Sequence, residues 1–182
     1  GHLKRGHYYR IIDEYTLFYL NWIEPIINSI RHHNKPLGYW ENLSTSPTWK
    51  SWSGYAFEAI CYKHITAIRE TLSIPVTAEV GSWRYSPRLK SSEKGAQIDL
   101  LFDRKDDAVT LCEIKYTNEP FRIDKSYAGE LLNKVNVYKK HTGVTKHIFI
   151  AMITSDGLKP TMYSEELISH QVTLSDFFKP IS

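Results

Sequence analysis

Two carboxylates and a lysine, Asp99 followed after thirteen residues by Glu113-Ile114-Lys115, sit in the middle of otherwise apolar stretches. The flanking segments Ala96–Phe102 and Val109–Tyr116 alternate as strands and are joined by the charged turn Arg104-Lys105-Asp106-Asp107. Alternation puts Ile98, Leu100 and Phe102 on one face and Asp99 with Leu101 on the other. In the second strand Cys112, Ile114 and Tyr116 oppose Glu113 and Lys115 in the same way. Folding the hairpin about its turn predicts Asp99 across from Glu113, with Ile98 near Ile114 and Leu100 near Cys112. Two carboxylates at cross-strand distance repel, and partial burial raises their pKa values unless a cation lies between them. A hard divalent ion, Mg²⁺ with Mn²⁺ as the alternative, meets that need because it takes oxygen ligands and keeps waters for a substrate phosphate. Lys115 reaches the same space, where it can orient or deprotonate a water or neutralise charge on a phosphoryl oxygen. The plain competitor is a solvated salt-bridge face. The strand context and the flanking helices favour the metal site.

Several elements must position this set. Ser53 to Leu72 reads as one amphipathic helix, with Phe57, Ile60, Cys61, His64, Ile65, Ile68 and Leu72 on a single stripe and Ser51 or Ser53 as its N-cap. Val76–Val80 reads as a strand before the central hairpin. A second helix runs from Lys125 to His141 with Tyr127, Leu131, Leu132, Val135 and Tyr138 inward, ended by Gly143. Lys146–Ile153 is a buried strand, and Val172–Leu174 a last short one before a turn at Asp176–Phe178. The order is α-β-β-β-α-β plus a tail, an α/β domain with a mixed central sheet flanked by helices. The domain is expected over residues 51–182, behind an aromatic helical extension and linker over 1–50.

That extension holds a short strand at His7–Ile12, an Asp13 cap and a helix over residues 14–31 that Pro25 should kink or split. Residues 32 to 53 read as a loop fastened by Trp40, Trp49 and Trp52. Twelve of the 24 aromatic residues, including four of the five tryptophans, fall within the first 57 residues. Stacking on single-stranded bases is a use for such a cluster, and packing is the simpler one.

Composition narrows the classes. In 182 residues, 42% apolar and 24% charged composition allows one sizeable core and excludes wholesale disorder. The two cysteines, Cys61 and Cys112, suggest neither a disulfide framework nor a Cys zinc site, and they suit a reducing cytoplasm. No His-x-His or His-Glu-x-x-His pattern is present. The most apolar stretch, Tyr15 to Ile30, is interrupted by Asn21, Glu24 and Pro25, so no membrane span is expected. The polar, basic start shows no signal peptide, and a first residue of Gly1 suggests a piece of a longer protein.

The run Gln97-Ile98-Asp99-Leu100-Leu101 with Leu111-Cys112-Glu113-Ile114-Lys115 resembles the PD-(D/E)XK nuclease superfamily, over about residues 51 to 153. Ile98 stands where many members have proline. The resemblance implies a restriction-endonuclease-like fold. It makes Asp99 and Glu113 metal ligands, the Ile114 carbonyl a further ligand and Lys115 the catalytic lysine. Many members add a glutamate from the first helix, which implies Glu58; Glu79, Gln97 and Tyr127 are weaker candidates for the same pocket. More narrowly, Tyr9-Arg10-Ile11-Ile12-Asp13-Glu14-Tyr15 and Gly54-Tyr55-Ala56-Phe57-Glu58 resemble the C-terminal nuclease-like domain of bacterial and archaeal AAA-type ATPases. The implied partners are ATPase and winged-helix parts outside this chain, since no Walker A loop occurs here.

The net charge of +3 is too mild to mark a nucleic-acid binder by itself. Two basic stretches beside the site do more. Residues 81–95 carry Arg84, Arg88, Lys90 and Lys94 against Glu93, and residues 121–141 include Lys125 and Lys134. These are the expected phosphate contacts, DNA first. Three functions follow. The leading one is a Mg²⁺-dependent nuclease. The second is a catalytically inactive nucleic-acid- or partner-binding regulator of the ATPase. The third is a structural module that forms a homodimer through the aromatic helix.

Overall fold

The computed structural model describes residues 13–32, 37–87 and 93–179, arranged as two compact units that meet in sequence between Lys63 and His64. The expected strand at His7–Ile12 lies outside the described residues. In the N-terminal unit, the Asp13 carboxylate accepts from the Thr16 amide at 2.6 Å and caps α1 (Glu14–Phe18) as expected. The helix breaks up from there. A π-turn (Tyr19–Ile23) and a 3-10 turn containing Pro25 (Glu24–Ile26) separate α1 from α2 (Ile27–Arg31), because proline lacks the amide that would continue the ladder.

The supposed loop is shorter than composition suggests. It contains α3 (Tyr39–Ser44), and α4 (Pro47–Lys63) begins ahead of Ser51. Ser46 Oγ accepts from the Trp49 amide at 3.2 Å and Pro47 follows it, the arrangement of an N-cap and first helical residue. Trp22, Trp49 and Trp52 then pack with Phe18, the Trp22 and Trp49 rings only 4.9 Å apart. This aromatic cluster is the unit's own small core.

In the C-terminal unit, α5 (Ile65–Thr71) is a separate helix rather than a continuation of α4, the chain breaking at His64. Five strands form the main sheet: β1 (Glu79–Tyr85), β2 (Ala96–Asp103), β3 (Ala108–Lys115), β5 (His147–Thr154) and β7 (His170–Thr173), in the order β1-β2-β3-β5-β7. The first two pairings are antiparallel and the last two parallel. Two-residue strands β4 (Phe121–Arg122) and β6 (Leu158–Lys159) make a side ribbon, and α7 (Met162–Leu167) precedes β7. The mixed α/β architecture and the α-β-β-β-α-β order agree with the sequence reading. The first strand does not: residues 76–78 turn, and the strand runs from Glu79 through Gly81 to Tyr85. Pairing with β2 makes it a strand despite the Gly-Ser pair, so the loop before β2 is shorter than 81–95.

One face of this sheet is covered by α6 (Lys125–Thr142), capped by Asp124 and closed by Gly143 at φ +68°. Leu131 and Ala128 pack on Ile150 and Met152, while Tyr138 and Val135 pack on Val109, Leu111 and Ile98. Leu132, expected inward, is exposed, since it falls to the side of the stripe made by Tyr127, Leu131, Lys134 and Tyr138. On the other face, Arg69 of α5 lies over the Phe102 ring and anchors the Pro75 and Ala78 carbonyls.

Candidate active site

The hairpin of β2 and β3 pairs Leu100 with Cys112 and Leu101 with Leu111, as folding about the charged turn predicts. Beyond Leu100 and Cys112 the ladder stops, although β2 stays paired to β1 as far as Ala96 and β3 to β5 as far as Lys115. The two strands therefore fork at Asp99 and Glu113. Asp99 fills the fork: its Oδ2 accepts from the Ile114 amide at 3.1 Å, replacing a lost ladder bond, and its Oδ1 accepts from Gln97 Nε2 at 3.3 Å.

Strict alternation does not survive into the fork. Gly81 faces Leu101 and Trp83 faces Ile98, so β2 spends three steps where β1 spends two. This bulge brings Ile98 onto the α6 face with Leu101 and Leu111, a correction to its expected place beside Leu100 and Phe102.

On β3, Glu113 is 5% exposed and heavily partnered. Its Oε1 accepts from the Tyr127 hydroxyl at 2.9 Å and lies 3.4 Å from Lys115 Nζ, while Oε2 lies 2.5 Å from Lys134 Nζ. Lys115 also approaches the Tyr127 ring, 5.5 Å from its centroid. Burial, then the Glu113 charge, pushes the Tyr127 phenol far above its ordinary range and keeps it a donor. Asp99 is raised as well, by burial first and by Glu113 second, against the pull of the Ile114 amide and of Lys134 and Lys115. Asp99, Glu113 and Lys115 thus share one locality, with Gln97 and Tyr127 as the polar groups that orient the two acids.

The remaining residues divide. Glu58 is half-buried on α4, in the N-terminal unit. Glu79 pairs with Asp103 at the far end of β1 from the fork and is exposed. Arg84 is exposed on β1 opposite Gln97. Arg88 and Lys90 lie outside the described residues. An open cleft of about 820 Å³ runs between the start of β2 and α6, with Lys94 and Gln97 on one side and Lys125, Ser126, Asn133 and Lys134 on the other. Lys134, read from charge alone as a phosphate contact, is instead bonded to Glu113 where the cleft meets the sheet. The signal for this was present: a lysine on the stripe Tyr127, Leu131, Tyr138 must point inward.

Among the described residues, no group of three or more His, Cys, Asp or Glu side chains could hold a metal ion. No helix among them is long and apolar enough to cross a membrane. The chain matches the model of DUF234, described as archaeal and bacterial proteins of unknown function, over residues 19–135, and it belongs to that family. No curated protein and no solved structure matches it.

Proposed function

We propose that this DUF234 chain is a Mg²⁺-dependent hydrolase of nucleic-acid phosphodiesters, DNA first, with a PD-(D/E)XK type of site. In this reading it is the C-terminal, cytoplasmic part of a larger AAA-type ATPase. The fork carries the reading, because it presents two carboxylates and a lysine at the one place where the central hairpin opens. The donor set suits a hard ion: Mg²⁺ is commonly held by one or two carboxylates, with waters and substrate phosphates completing the shell. Asp99 and Glu113 would hold it, with the Ile114 carbonyl as the further ligand that the superfamily resemblance implies. Such an ion, when bound, supplies Lewis acidity at the phosphoryl group and makes the attacking water more acidic.

The chain's own residues do the rest. Gln97 and the Ile114 amide fix the Asp99 carboxylate, and Tyr127 fixes Glu113. Lys115, 37% exposed at the fork, orients the attacking water or meets negative charge developing on the phosphate. Lys94 and Lys125 offer phosphate contacts along the cleft. The purified chain is expected to nick plasmid DNA with Mg²⁺ or Mn²⁺, and Asp99→Ala or Lys115→Ala to lower the rate by about a hundredfold or more. Equal rates in the variants would remove Asp99 and Lys115 from the chemistry.

One observation favours a second reading. Glu113 is already compensated by Lys134, Lys115 and Tyr127, so its charge needs no ion. In that case the domain is an inactive regulator that binds nucleic acid or a partner. DNA binding without any heat of metal binding in calorimetry selects this reading.

A further inference from the structure

Lys134 stands in a position that the proposed metal site makes untenable. Its ammonium is 2.5 Å from Glu113 Oε2, with the lysine side chain 23% exposed and the glutamate 5%. Ile98, Leu111, Leu131, Val135 and Ile150 wall the pair, and a charge so placed must have a counter-ion. The charges of Asp99, Glu113, Lys115 and Lys134 cancel. A divalent ion added to all four leaves a surplus of two in a largely desolvated place. Both Glu113 oxygens already have partners, Oε1 in Tyr127 and Lys115 and Oε2 in Lys134, so an ion at this carboxylate would compete with them. Of the two lysines, Lys134 is closer to Glu113 and acts more strongly on Asp99 than Lys115 does. It also has somewhere to go, because it lines the open cleft beside Lys125 and Asn133 as well as the buried pair.

We propose that Lys134 is a resident counter-ion that leaves Glu113 when a divalent cation binds and turns into the cleft, where it takes a phosphate of the nucleic-acid strand. The inference rests on the metal reading above and adds an order to it: metal binding creates a phosphate contact. Reciprocity follows, since a strand that holds Lys134 in the cleft must tighten the metal by the same factor. In the ion-free chain Lys134 sets metal affinity through Glu113, and once displaced it becomes a contact to the strand.

The experiment is amine acetylation of the full chain, read residue by residue by mass spectrometry, with and without Ca²⁺ as a hard, oxygen-seeking probe. Lys134 is expected to be protected without the ion and to label severalfold faster once Ca²⁺ is bound, while Lys140 serves as the exposed reference. Calorimetry runs beside it on the parent chain and on Lys134→Met, which keeps the stem and drops the charge; the variant is expected to bind Ca²⁺ about tenfold more tightly. Heat from both chains with equal affinity, or unchanged Lys134 labelling at saturating Ca²⁺, overturns the exchange and leaves the metal site standing. No heat from either chain overturns the metal site and the exchange together. Should Lys134→Met fail to fold, the labelling of the parent chain decides alone.

Discussion

Asp99 is the residue at which structure and stability pull against each other. Burial and the Glu113 carboxylate raise its carboxyl above the ordinary range, and the bond from the Ile114 amide only partly offsets them. A group whose pKa rises on folding contributes stability below its unfolded pKa and loses that contribution as pH rises through its folded value. Without metal, then, Asp99 weakens the fold at neutral pH relative to acid. Asp99→Asn keeps an oxygen for the Ile114 amide and removes the charge. It is expected to raise the Tm of the chelator-treated chain by a few degrees at neutral pH and to change nothing at about pH 3, where the carboxyl is already protonated. Melting curves across that interval check this, and a lower Tm at neutral pH would mean that the amide bond outweighs the charge. A higher Tm for the Asn variant would show that Asp99 costs stability in the empty protein, as the proposed ligand role requires.

At the scale of elements, legibility followed locality. The turn between β2 and β3, the register that pairs Leu100 with Cys112, and α6 with both its ends could all be read from the sequence, because each is set by residues within a few turns of one another. Gly143 is the clearest case: at φ +68° it adopts the left-handed conformation that closes a helix, so Gly143→Ala is expected to cost about 1 kcal/mol in denaturant unfolding. What was missed depends on distant partners. The break at His64 has no Gly or Pro to announce it, and the apolar stripe continues across it from Cys61 to Ile68. Strand β1 exists because β2 is beside it, and its pairing, not its composition, carries it through Gly81. The β2 bulge that turns Ile98 toward α6 is likewise a property of two strands together. The candidate site was legible as Asp99, Glu113 and Lys115; the inward lysine of α6 is readable from its helical stripe and not from a basic count, which treats every lysine as solvent-facing.

For the whole molecule, a net charge of +3 says little until it is placed. Lys94 and Lys125 are exposed on opposite sides of the cleft beside the fork, and Lys134 stands between them and Glu113. Glu130, the acid on that cleft, reduces the field without removing it. Each lysine that neutralises a phosphate releases condensed counter-ions, so affinity for a strand in this cleft must fall as salt rises. Two contacts removed should lower the magnitude of the logarithmic salt slope by about two and, at low salt, weaken binding by about tenfold or more. Lys94→Ala with Lys125→Ala is the variant to measure, by fluorescence anisotropy of a labelled duplex over a salt series. Its affinity for Ca²⁺ should match the parent chain's, because neither lysine touches Asp99 or Glu113 in the network described above. An unchanged slope would mean that the cleft lysines are a solvated surface and that any nucleic acid lies elsewhere. A reduced slope with unchanged metal affinity would separate the two halves of the site, one that holds the strand and one that holds the ion.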